Sequence, residues 1–279
     1  MQIQESTWTT PDGVRLYTRQ WQPEVTLRAT VVLAHGLGEH SARYDHAAAY
    51  LTQHGILVSS FDHRGHGRSQ GIRGHIPSYD HVTGDLDHFL DEAAQNAPGK
   101  PVFLYGHSMG GAMVLYYGLK CQPKITGVIC TSPGIGSDNP QSPIKILLGK
   151  ILYRLAPSMT VPNGLDFNNL SHDQVVVQAY IADPLNTGQV SARLGLDILN
   201  NGPWIVSQAA RWTLPILLMQ GSKDHLNSPA ATQKFVAGVP KEWMTYKEWD
   251  GLFHELHNEP EKDRVLQTIM DWIDARIGD

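Results

Sequence analysis

The chain has 279 residues, of which 41% are hydrophobic and 18% charged, and its formal net charge is −5. This length fits one or two domains and allows a hydrophobic core that needs no disulfide or metal to stabilise it. The acidic balance, without any block of like charge, argues against nucleic-acid binding, which usually leaves a basic patch or stripe. Cys121 and Cys130 lie outside any zinc-ligand spacing and are expected to be free thiols.

The first ten residues, MQIQESTWTT, contain neither a basic segment nor an apolar stretch, so they do not resemble a secretory signal. No apolar run approaches the ~18 residues that a membrane-spanning helix needs. We therefore expect a cytoplasmic, soluble protein and leave peripheral contact with a membrane open. The sequence carries no signal for an oligomeric state.

Short apolar runs alternate with helical patterns along most of the chain. Eight runs are predicted as strands: 3–10, 14–21, Thr30–Ala34, Ile56–Phe61, Pro101–Tyr105, Ile125–Cys130, Pro215–Gln220 and Trp243–Trp249. The first two flank a turn, Pro11-Asp12-Gly13, and predict an antiparallel hairpin. Buried strands that alternate with helices are typical of a parallel sheet. The predicted fold class is therefore α/β, with a mostly parallel sheet of about eight strands and helices on both faces.

One segment interrupts this alternation. Residues 134–204 contain helical apolar patches but no run typical of a buried strand. We predict that 134–204 forms a helical cap, inserted between a first part of the core (1–133) and a second part (205–279). The alternative is that these residues add further helices that pack directly on the core.

A stripe of apolar residues from Ile144 to Leu155 lies inside the predicted cap and carries Lys145, Lys150 and Arg154. An apolar helix face with basic flanks is typical of helices that rest on a membrane surface. Packing on the core explains the same stripe equally well, so both interpretations stay open.

The most informative motif is residues 106–110, which read GHSMG and match G-x-S-x-G between a predicted strand and a predicted helix. In this arrangement the serine occupies a sharp, strained turn that lifts its hydroxyl into a cleft. The flanking glycines relieve crowding where strand and helix nearly touch. Ligands of open parallel sheets bind beyond the carboxyl ends of the strands, where this turn lies. Ser108 is therefore the candidate nucleophile.

A serine nucleophile needs an adjacent base that is oriented by a third group. With this motif the chain order is Ser, acid, His. His254 follows the last predicted strand and is the candidate base, with His257 one turn further on as its rival. Asp224 follows the strand PILLMQ and is the candidate acid, with Asp138 after the preceding strand as its rival.

Acyl transfer also needs backbone donors that point at the oxyanion of the tetrahedral intermediate. One is the N–H of Met109, the residue after the candidate nucleophile. The other is expected from the loop after Thr30–Ala34, which reads HGLGEH. Leu37 is the candidate donor there, because the glycines beside it keep the backbone accessible.

These motifs resemble one known group of proteins. The strings HGLGEHSARY (35–44), FDHRGHGRSQG (61–71), GHSMGG (106–111), ADPL (182–185), QGSKDHL (220–226) and GLFHELHNEP (251–260) are similar to the monoacylglycerol lipase and lysophospholipase-like group of α/β-hydrolases. They occur in the order of that family and cover most of the chain outside the predicted cap, which matches it least.

The resemblance implies the α/β-hydrolase fold with a mobile cap above an apolar acyl tunnel. It implies Ser108, Asp224 and His254 as catalytic triad and Leu37 and Met109 as oxyanion donors. A further polar set is Glu39, Arg43 and His257. Equivalent positions in the family line the glycerol end of the site, so these three are candidate substrate-binding residues; surface ion pairing is the alternative.

The string FDHRGHGRSQG contains Asp62, His63 and His66, which are residue types that ligate metals. Hydrolysis by a serine triad requires no metal, and a tight loop anchored by Asp62 and Arg64 is the preferred interpretation. We expect neither a metal nor another cofactor.

The predicted function is hydrolysis of carboxylic esters through an acyl-enzyme intermediate, with a monoacylglycerol or similar small lipid ester as substrate. A short-chain carboxylesterase and a lysophospholipase are the alternatives. A non-catalytic ligand receptor on the same fold is a third interpretation, which the presence of Ser108, Asp224 and His254 disfavours. A peptidase or acyltransferase also stays open, because the fold does not determine the substrate.

Overall fold

A computed structural model describes residues 1–138 and 143–277, apart from the side chains of residues 143 and 145. Its strands are β1 (Gln2–Thr9), β2 (Arg15–Gln22), β3 (Ala29–Ala34), β4 (Ile56–Phe61), β5 (Val102–His107), β6 (Gly127–Thr131), β7 (Thr160–Pro162), β8 (Gln189–Ser191), β9 (Ile216–Gly221) and β10 (Met244–Trp249). Its α-helices are α1 (Asp45–Gln53), α2 (Tyr79–Asn96), α3 (Met109–Cys121), α4 (Pro143–Leu155), α5 (Gln174–Ala182), α6 (Ala192–Ser207), α7 (Pro229–Gly238) and α8 (Lys262–Ile277).

Eight strands form one sheet in the order β1-β2-β4-β3-β5-β6-β9-β10. The β1–β2 and β2–β4 pairs are antiparallel, and every other pair in this sheet is parallel. The predicted mostly parallel sheet with an antiparallel hairpin at one edge is thus confirmed. Its parallel strands end at the same edge of the sheet, where the loops that follow β3, β4, β5, β6, β9 and β10 therefore lie.

Helices cover both faces of the sheet, because successive side chains of a strand point to opposite faces. Val32 of β3 belongs to the apolar core that also contains buried residues of α2, α3, α6 and α7. Its neighbour Val31 belongs to a second core, on the opposite face, with residues of α1 and α8. Of the two cysteines, which are free as expected, Cys130 lies in the first core and Cys121 is exposed.

The segment between β6 and β9 contributes no strand to the main sheet within its described residues. It contains α4, α5 and α6, and β7 pairs with β8 in a separate antiparallel sheet. The sequence analysis did not predict these two strands, because three residues are too few to show a strand pattern. We call residues 134–204 the insert.

The apolar stripe of α4 faces outward. Exposed fractions are 80% for Ile144, 54% for Leu148 and 80% for Leu155, and Leu147 and Ile151 are exposed as well. Of the two interpretations of this stripe, packing on the core is therefore wrong, and contact with a membrane surface stays a prediction. None of the helices in the described ranges is long and apolar enough to cross a membrane.

Candidate active site

Ser108 occupies the turn between β5 and α3 in a strained conformation, with φ 56° and ψ −118°. A non-glycine residue at such a φ costs about 1–3 kcal/mol, which the surrounding packing must offset. A Cβ at Gly106 would lie 2.4 Å from the carbonyl oxygen of Gly110, and one at Gly110 would lie 2.1 Å from that of Ala34. Both glycines of the motif are thus required by close backbone approach, which fixes Ser108 at the edge of the sheet.

The structure brings together the three side chains that the sequence singled out. His254 Nε2 lies 2.9 Å from Ser108 Oγ, although 146 residues separate them in the chain. His254 Nδ1 lies 2.8 Å from Asp224 Oδ2. The rival acid Asp138 is exposed, and the rival base His257 is fully buried, with neither ring nitrogen hydrogen-bonded to another described residue.

The carboxylate of Asp224 is held by four donors. Its Oδ1 accepts hydrogen bonds of 2.9 Å from the N–H groups of Leu226 and Asn227. Its Oδ2 accepts from Gln220 Nε2 at 2.9 Å, in addition to His254. Burial alone would raise the pKa of Asp224, but the adjacent imidazole and these donors outweigh it and lower the pKa. Asp224 is therefore ionised and rigidly placed behind the histidine.

His254 is buried, which alone would lower its pKa, but the charge of Asp224 and the hydrogen bond to it outweigh burial and raise the pKa. With a carboxylate at Nδ1, the neutral ring carries its proton on that nitrogen. Nε2 is then free to accept the proton of Ser108. The arrangement is that of a base which can receive a proton from a hydroxyl and share the resulting charge with a carboxylate.

Ser132, at the end of β6, was not singled out by the sequence analysis. Its Oγ donates a hydrogen bond of 2.7 Å to the carbonyl oxygen of His254. Its own carbonyl accepts a hydrogen bond of 2.7 Å from Asn227 Nδ2. The only available signal was its position directly after a buried strand, which it shares with many loop residues.

The two predicted oxyanion donors lie beside Ser108. Leu37 lines the same cavity as Ser108, and Met109 is the first residue of α3. Neither N–H donates a hydrogen bond to another residue within 1–138 and 143–277. A Cβ at Gly36 would lie 3.1 Å from Ser108 Cβ, so the loop that carries Leu37 passes directly over the serine. Both N–H groups are thus available to a ligand beside Ser108, and their role as oxyanion donors stays a prediction.

The predicted substrate-binding residues are distributed over two layers. Glu39 lines the cavity, and its Oε1 accepts hydrogen bonds from the Gly36 N–H at 2.6 Å and the Tyr44 hydroxyl at 2.8 Å. Arg43 donates to Glu39 and, at 2.6 and 2.7 Å, to both carboxylate oxygens of Glu255. Glu255 is a cavity-lining residue that the sequence analysis missed.

His257 lies behind this wall. Its ring stacks on Tyr44, with the ring centres 4.7 Å apart, and packs edge-on against His107 at 4.8 Å. Burial and the neighbouring His107 lower its pKa well below the ordinary value. Neither Arg43 nor His257 lines the cavity. Direct contact of these two residues with a substrate stays a prediction.

The cavity above Ser108 is small, with room for about one water molecule. Apolar side chains cover it, four from the insert and one from the loop after β9: Leu165, Phe167, Leu170, Tyr180 and Leu226. The side chains of the insert therefore lie directly beside Ser108 and narrow the space around its hydroxyl.

The loop after β4, which contains Asp62, His63 and His66, is a tightly bonded turn. Asp62 Oδ1 accepts from the Ser41 N–H at 2.8 Å, and Oδ2 accepts from the Arg68 N–H at 2.8 Å. Arg64 forms a bidentate pair with the carboxylate of Asp85. In the described part of the chain, no group of three or more His, Cys, Asp or Glu side chains is placed to hold a metal ion.

Comparison with known proteins shows close relatives. Residues 26–261 match the family Hydrolase_4, described as serine aminopeptidase, S33. The chain is 36% identical over 266 residues to a monoacylglycerol lipase of Mycolicibacterium smegmatis, and the alignment covers 95% of each chain. It is 37% identical over 270 residues to an uncharacterized abhydrolase domain-containing protein of Dictyostelium discoideum, covering 96% of this chain but only 28% of that longer protein.

The fold has a solved counterpart in the crystal structure of the monoacylglycerol lipase from Paleococcus ferrophilus. The two chains are 32% identical and superpose with a TM-score of 0.85 over 92% of this chain and 98% of the other. The family resemblance and the α/β-hydrolase fold predicted from the sequence motifs are thereby confirmed. The chain is a serine hydrolase that belongs to the Hydrolase_4 family.

Proposed function

We propose that the protein hydrolyses carboxylic esters through an acyl-enzyme intermediate and that its substrates are monoacylglycerols. The observation that carries this proposal is the hydrogen-bonded chain from Ser108 Oγ through His254 to Asp224, which lies beneath a cover of apolar side chains. The names of the relatives from M. smegmatis and P. ferrophilus support the same substrate class.

In the first half of the reaction, His254 Nε2 takes the proton of Ser108 while Oγ attacks the ester carbonyl carbon. Asp224 holds the ring in the required tautomer and stabilises the imidazolium that forms. The tetrahedral intermediate then collapses, and His254 gives its proton to the oxygen of the leaving alcohol. The acyl group stays on Ser108 as an ester.

The negative charge of the tetrahedral intermediate is stabilised by the N–H groups of Leu37 and Met109. Met109 opens α3, so the positive end of that helix points at the same oxygen. In the second half of the reaction, His254 takes a proton from water, which attacks the acyl carbon. The same donors stabilise the second intermediate, and the fatty acid leaves.

The two ends of the cavity suit the two parts of a monoacylglycerol. Leu165, Phe167 and Leu170 offer apolar surface to an acyl chain. Glu39 already accepts three hydrogen bonds. A carboxylate has about four acceptor positions, so one is left for a substrate hydroxyl.

Arg43 and His257 support the polar end of the cavity in this proposal. Arg43 pairs with both Glu39 and Glu255, and His257 stacks on the Tyr44 ring whose hydroxyl donates to Glu39. The same pairing disfavours an aminopeptidase. That reaction must bind a substrate ammonium group, and the two cavity carboxylates are already paired with Arg43.

The insert, residues 134–204, is proposed to act as a cap that opens to admit substrate, because four of its side chains line the cavity beside Ser108. Its exposed α4 stripe is proposed to contact the lipid surface where such substrates reside. Lys150 and Arg154 are exposed on the same helix, and the predicted third basic flank, the side chain of Lys145, lies outside the described residues. The cytoplasmic location stays a prediction.

The test is a substrate panel on the purified protein with Ser108→Ala as control. It contains monoacylglycerols and p-nitrophenyl esters of short to long acyl chain, a lysophospholipid, and an aminoacyl anilide. The proposal predicts the highest kcat/KM with longer-chain monoacylglycerols and no turnover by Ser108→Ala. Turnover restricted to short acyl groups, or highest with the lysophospholipid or the anilide, contradicts the substrate class. Equal turnover by Ser108→Ala contradicts the mechanism.

A further inference from the structure

The loop that carries the oxyanion donor Leu37 is bonded to the insert. The carbonyl oxygen of the next residue, Gly38, accepts a hydrogen bond of 2.8 Å from the N–H of Thr187. It accepts a second bond, of 3.2 Å, from the hydroxyl of Tyr180. Both donors belong to the insert, at the end of α5 and in the turn that follows it. The insert thus donates two hydrogen bonds to the carbonyl oxygen of Gly38, the residue next to the predicted oxyanion donor Leu37.

The contact at Gly38 is too close for any side chain. Gly38 has a φ of +74°, and a Cβ there would lie 2.3 Å from the carbonyl oxygen of Thr187 and 3.1 Å from the Tyr180 hydroxyl. The glycine of the HGLGEH motif is therefore required at this position for two reasons, the left-handed backbone and the direct approach of the insert.

The ADPL motif builds the turn that makes this approach. Asp183 Oδ1 accepts a hydrogen bond of 2.8 Å from the Leu185 N–H, which closes a local turn. The other carboxylate oxygen, Oδ2, lies 2.9 Å from His40 Nε2. The motif thus forms a second contact between the insert and the oxyanion loop, through Asp183 and His40. The turn also places the Thr187 N–H within hydrogen-bond distance of the Gly38 carbonyl.

The Tyr180 ring is positioned by packing contacts that are independent of Gly38. It is buried, the Arg43 guanidinium lies over its face at 4.6 Å, and the Phe167 ring packs at 4.8 Å. The hydroxyl therefore has a defined direction, set by contacts that do not involve the hydroxyl itself.

Leu37 lies between two anchored peptide units. On one side Glu39 Oε1 accepts from the Gly36 N–H, which fixes the peptide unit before Gly36. On the other side Tyr180 and Thr187 fix the carbonyl of Gly38. The N–H of Leu37 belongs to the peptide unit that follows Gly36, and the carbonyl oxygen of this unit lies 2.8 Å from Nδ1 of the buried His35. An outward movement of the insert would remove the anchor at Gly38 and leave the anchors at Gly36 in place.

We propose that the Tyr180 hydroxyl and the Thr187 N–H are positioning groups: they hold the Gly38 side of the loop and so complete the oxyanion-binding orientation of the Leu37 N–H while the cap is closed. This inference rests on the proposed function of the site. It links the geometry of the oxyanion site to the position of the insert. Hydrolysis is then coupled to substrate enclosure through one backbone carbonyl.

The test is Tyr180→Phe, which keeps the ring contacts and removes only the hydroxyl. Loss of a direct oxyanion donor lowers kcat by about 10²–10³-fold. Loss of one of two bonds behind the donor is expected to lower kcat by about tenfold. With a soluble short-chain ester, KM stays within about twofold. The affinity for a trifluoromethyl ketone, whose hemiketal oxygen uses the same donors, falls by the same factor as kcat/KM.

Tyr153→Phe is the matched control. Its hydroxyl also bonds within the insert, to Asp197 at 3.2 Å and from Arg193 at 2.8 Å, but without contact to Gly38. This variant is expected to retain wild-type kcat and inhibitor affinity. A second variant, Gly38→Ala, pushes Thr187 and Tyr180 away and is expected to give the same pattern with a larger loss. Labelling of Ser108 by a fluorophosphonate counts the folded sites in each preparation.

Wild-type kcat and inhibitor affinity in Tyr180→Phe would overturn the inference, as would a rise in KM with kcat unchanged, which assigns the hydroxyl to substrate binding. The proposed function has a separate test in the same experiment. If Ser108→Ala keeps the esterase activity, the proposed function fails. If Ser108→Ala is inactive while Tyr180→Phe is unchanged, only the inference about Tyr180 fails.

Discussion

Ser132 Oγ donates a hydrogen bond of 2.7 Å to the carbonyl oxygen of His254, across 122 residues of chain. The N–H of Ser132 in turn donates to the carbonyl of Met219 in β9 at 2.9 Å. The backbone of the histidine is therefore bonded to the end of β6, and through it to β9. The position of the base is determined by the sheet and not by its own loop alone.

Ser132→Gly tests this support. Ser132 has a φ of 47°, which glycine adopts without strain, so the substitution removes the hydroxyl and retains the turn. We expect kcat about tenfold lower with KM little changed, because a misplaced base acts mainly on the chemical step. The free energy of unfolding should fall by about 1 kcal/mol, the net value of one hydrogen bond. Steady-state kinetics and urea unfolding measure both.

The control for Ser132→Gly is Ser207→Ala, an exposed serine that bonds only within α6 and its end. It should leave kcat unchanged. A Ser132→Gly variant with wild-type kcat would show that the loop after β10 positions His254 without this bond.

Asp224→Asn tests the role of the acid through pH. Burial alone would lower the pKa of His254, but the effect of Asp224 is larger and raises the pKa above its ordinary value. Only neutral His254 accepts a proton, so wild-type kcat/KM rises as pH increases through this raised pKa. The asparagine variant should lose about 10⁴-fold in kcat, and the midpoint of its acidic limb should move to lower pH. The measurement is kcat/KM against pH.

Asp250→Asn is the control for Asp224→Asn. Asp250 is close to His254 in sequence but is exposed and bonds to Ser222. This variant should retain both activity and pH profile. An acidic limb that stays in place in Asp224→Asn would mean that another group raises the pKa of the base.

Five fully buried histidines make stability sensitive to acid. Burial is the largest cause that lowers the pKa of each, to about 3 for His63 and His107 and about 4 for His66; the full set is His35, His63, His66, His107 and His257. In the unfolded chain they titrate near pH ~6.5. Above that pH both states are neutral and these groups contribute nothing to pH dependence. Below it the unfolded chain binds protons that the folded protein excludes.

Each such histidine is expected to lower the free energy of unfolding by about 1.4 kcal/mol per pH unit below pH ~6.5. His254, with its raised pKa, adds stability as the pH falls towards ~6.5 and contributes no further pH dependence below it. We therefore expect the unfolding temperature to fall steeply between about pH 6.5 and pH 5. Thermal unfolding over this range is the measurement, and a flat profile would contradict the neutral buried state of these residues.

If the exposed stripe of α4 contacts lipid, charges placed on it should lower activity on lipid surfaces and leave activity in solution unchanged. Ile144→Glu with Leu148→Glu places two charges on side chains that are exposed, so folding should be unaffected. Binding to anionic vesicles and turnover of vesicle-embedded monoacylglycerol should fall by about tenfold, because apolar insertion and charge attraction both weaken. Turnover of a soluble short-chain ester should stay at the wild-type rate.

The matched control for the α4 variant is Ala94→Glu with Gln95→Glu, which adds the same charge to exposed positions of α2. It should bind vesicles as the wild type does. Equal loss in both variants would attribute the effect to net charge and not to the α4 surface.

The sequence was sufficient to predict the sheet, and it singled out Ser108, Asp224 and His254 as triad candidates. Parallel strands deliver their carboxyl ends to one edge, so polar residues that follow strands β5, β9 and β10 converge there. The G-x-S-x-G motif identified the strained turn, because its glycines are required by close backbone contacts around Ser108.

The supporting residues could not be predicted in the same way. Glu255 pairs with Arg43 across 212 residues and Tyr180 bonds to Gly38 across 142, and no local pattern marks such pairs. The stripe of α4 has the same spacing whether it is buried or exposed, so its surface position required the structure. The three-residue strands β7 and β8 were missed because so short a run shows no alternation.

The most direct test of the mechanism is the site of covalent modification by a fluorophosphonate, measured by intact mass and peptide mapping alongside residual esterase activity. The mechanism predicts one adduct per chain, located on Ser108, with loss of activity in proportion to its formation. Ser108→Ala should form no adduct and hydrolyse no ester. An adduct on another residue, or esterase activity that survives in Ser108→Ala, would contradict it.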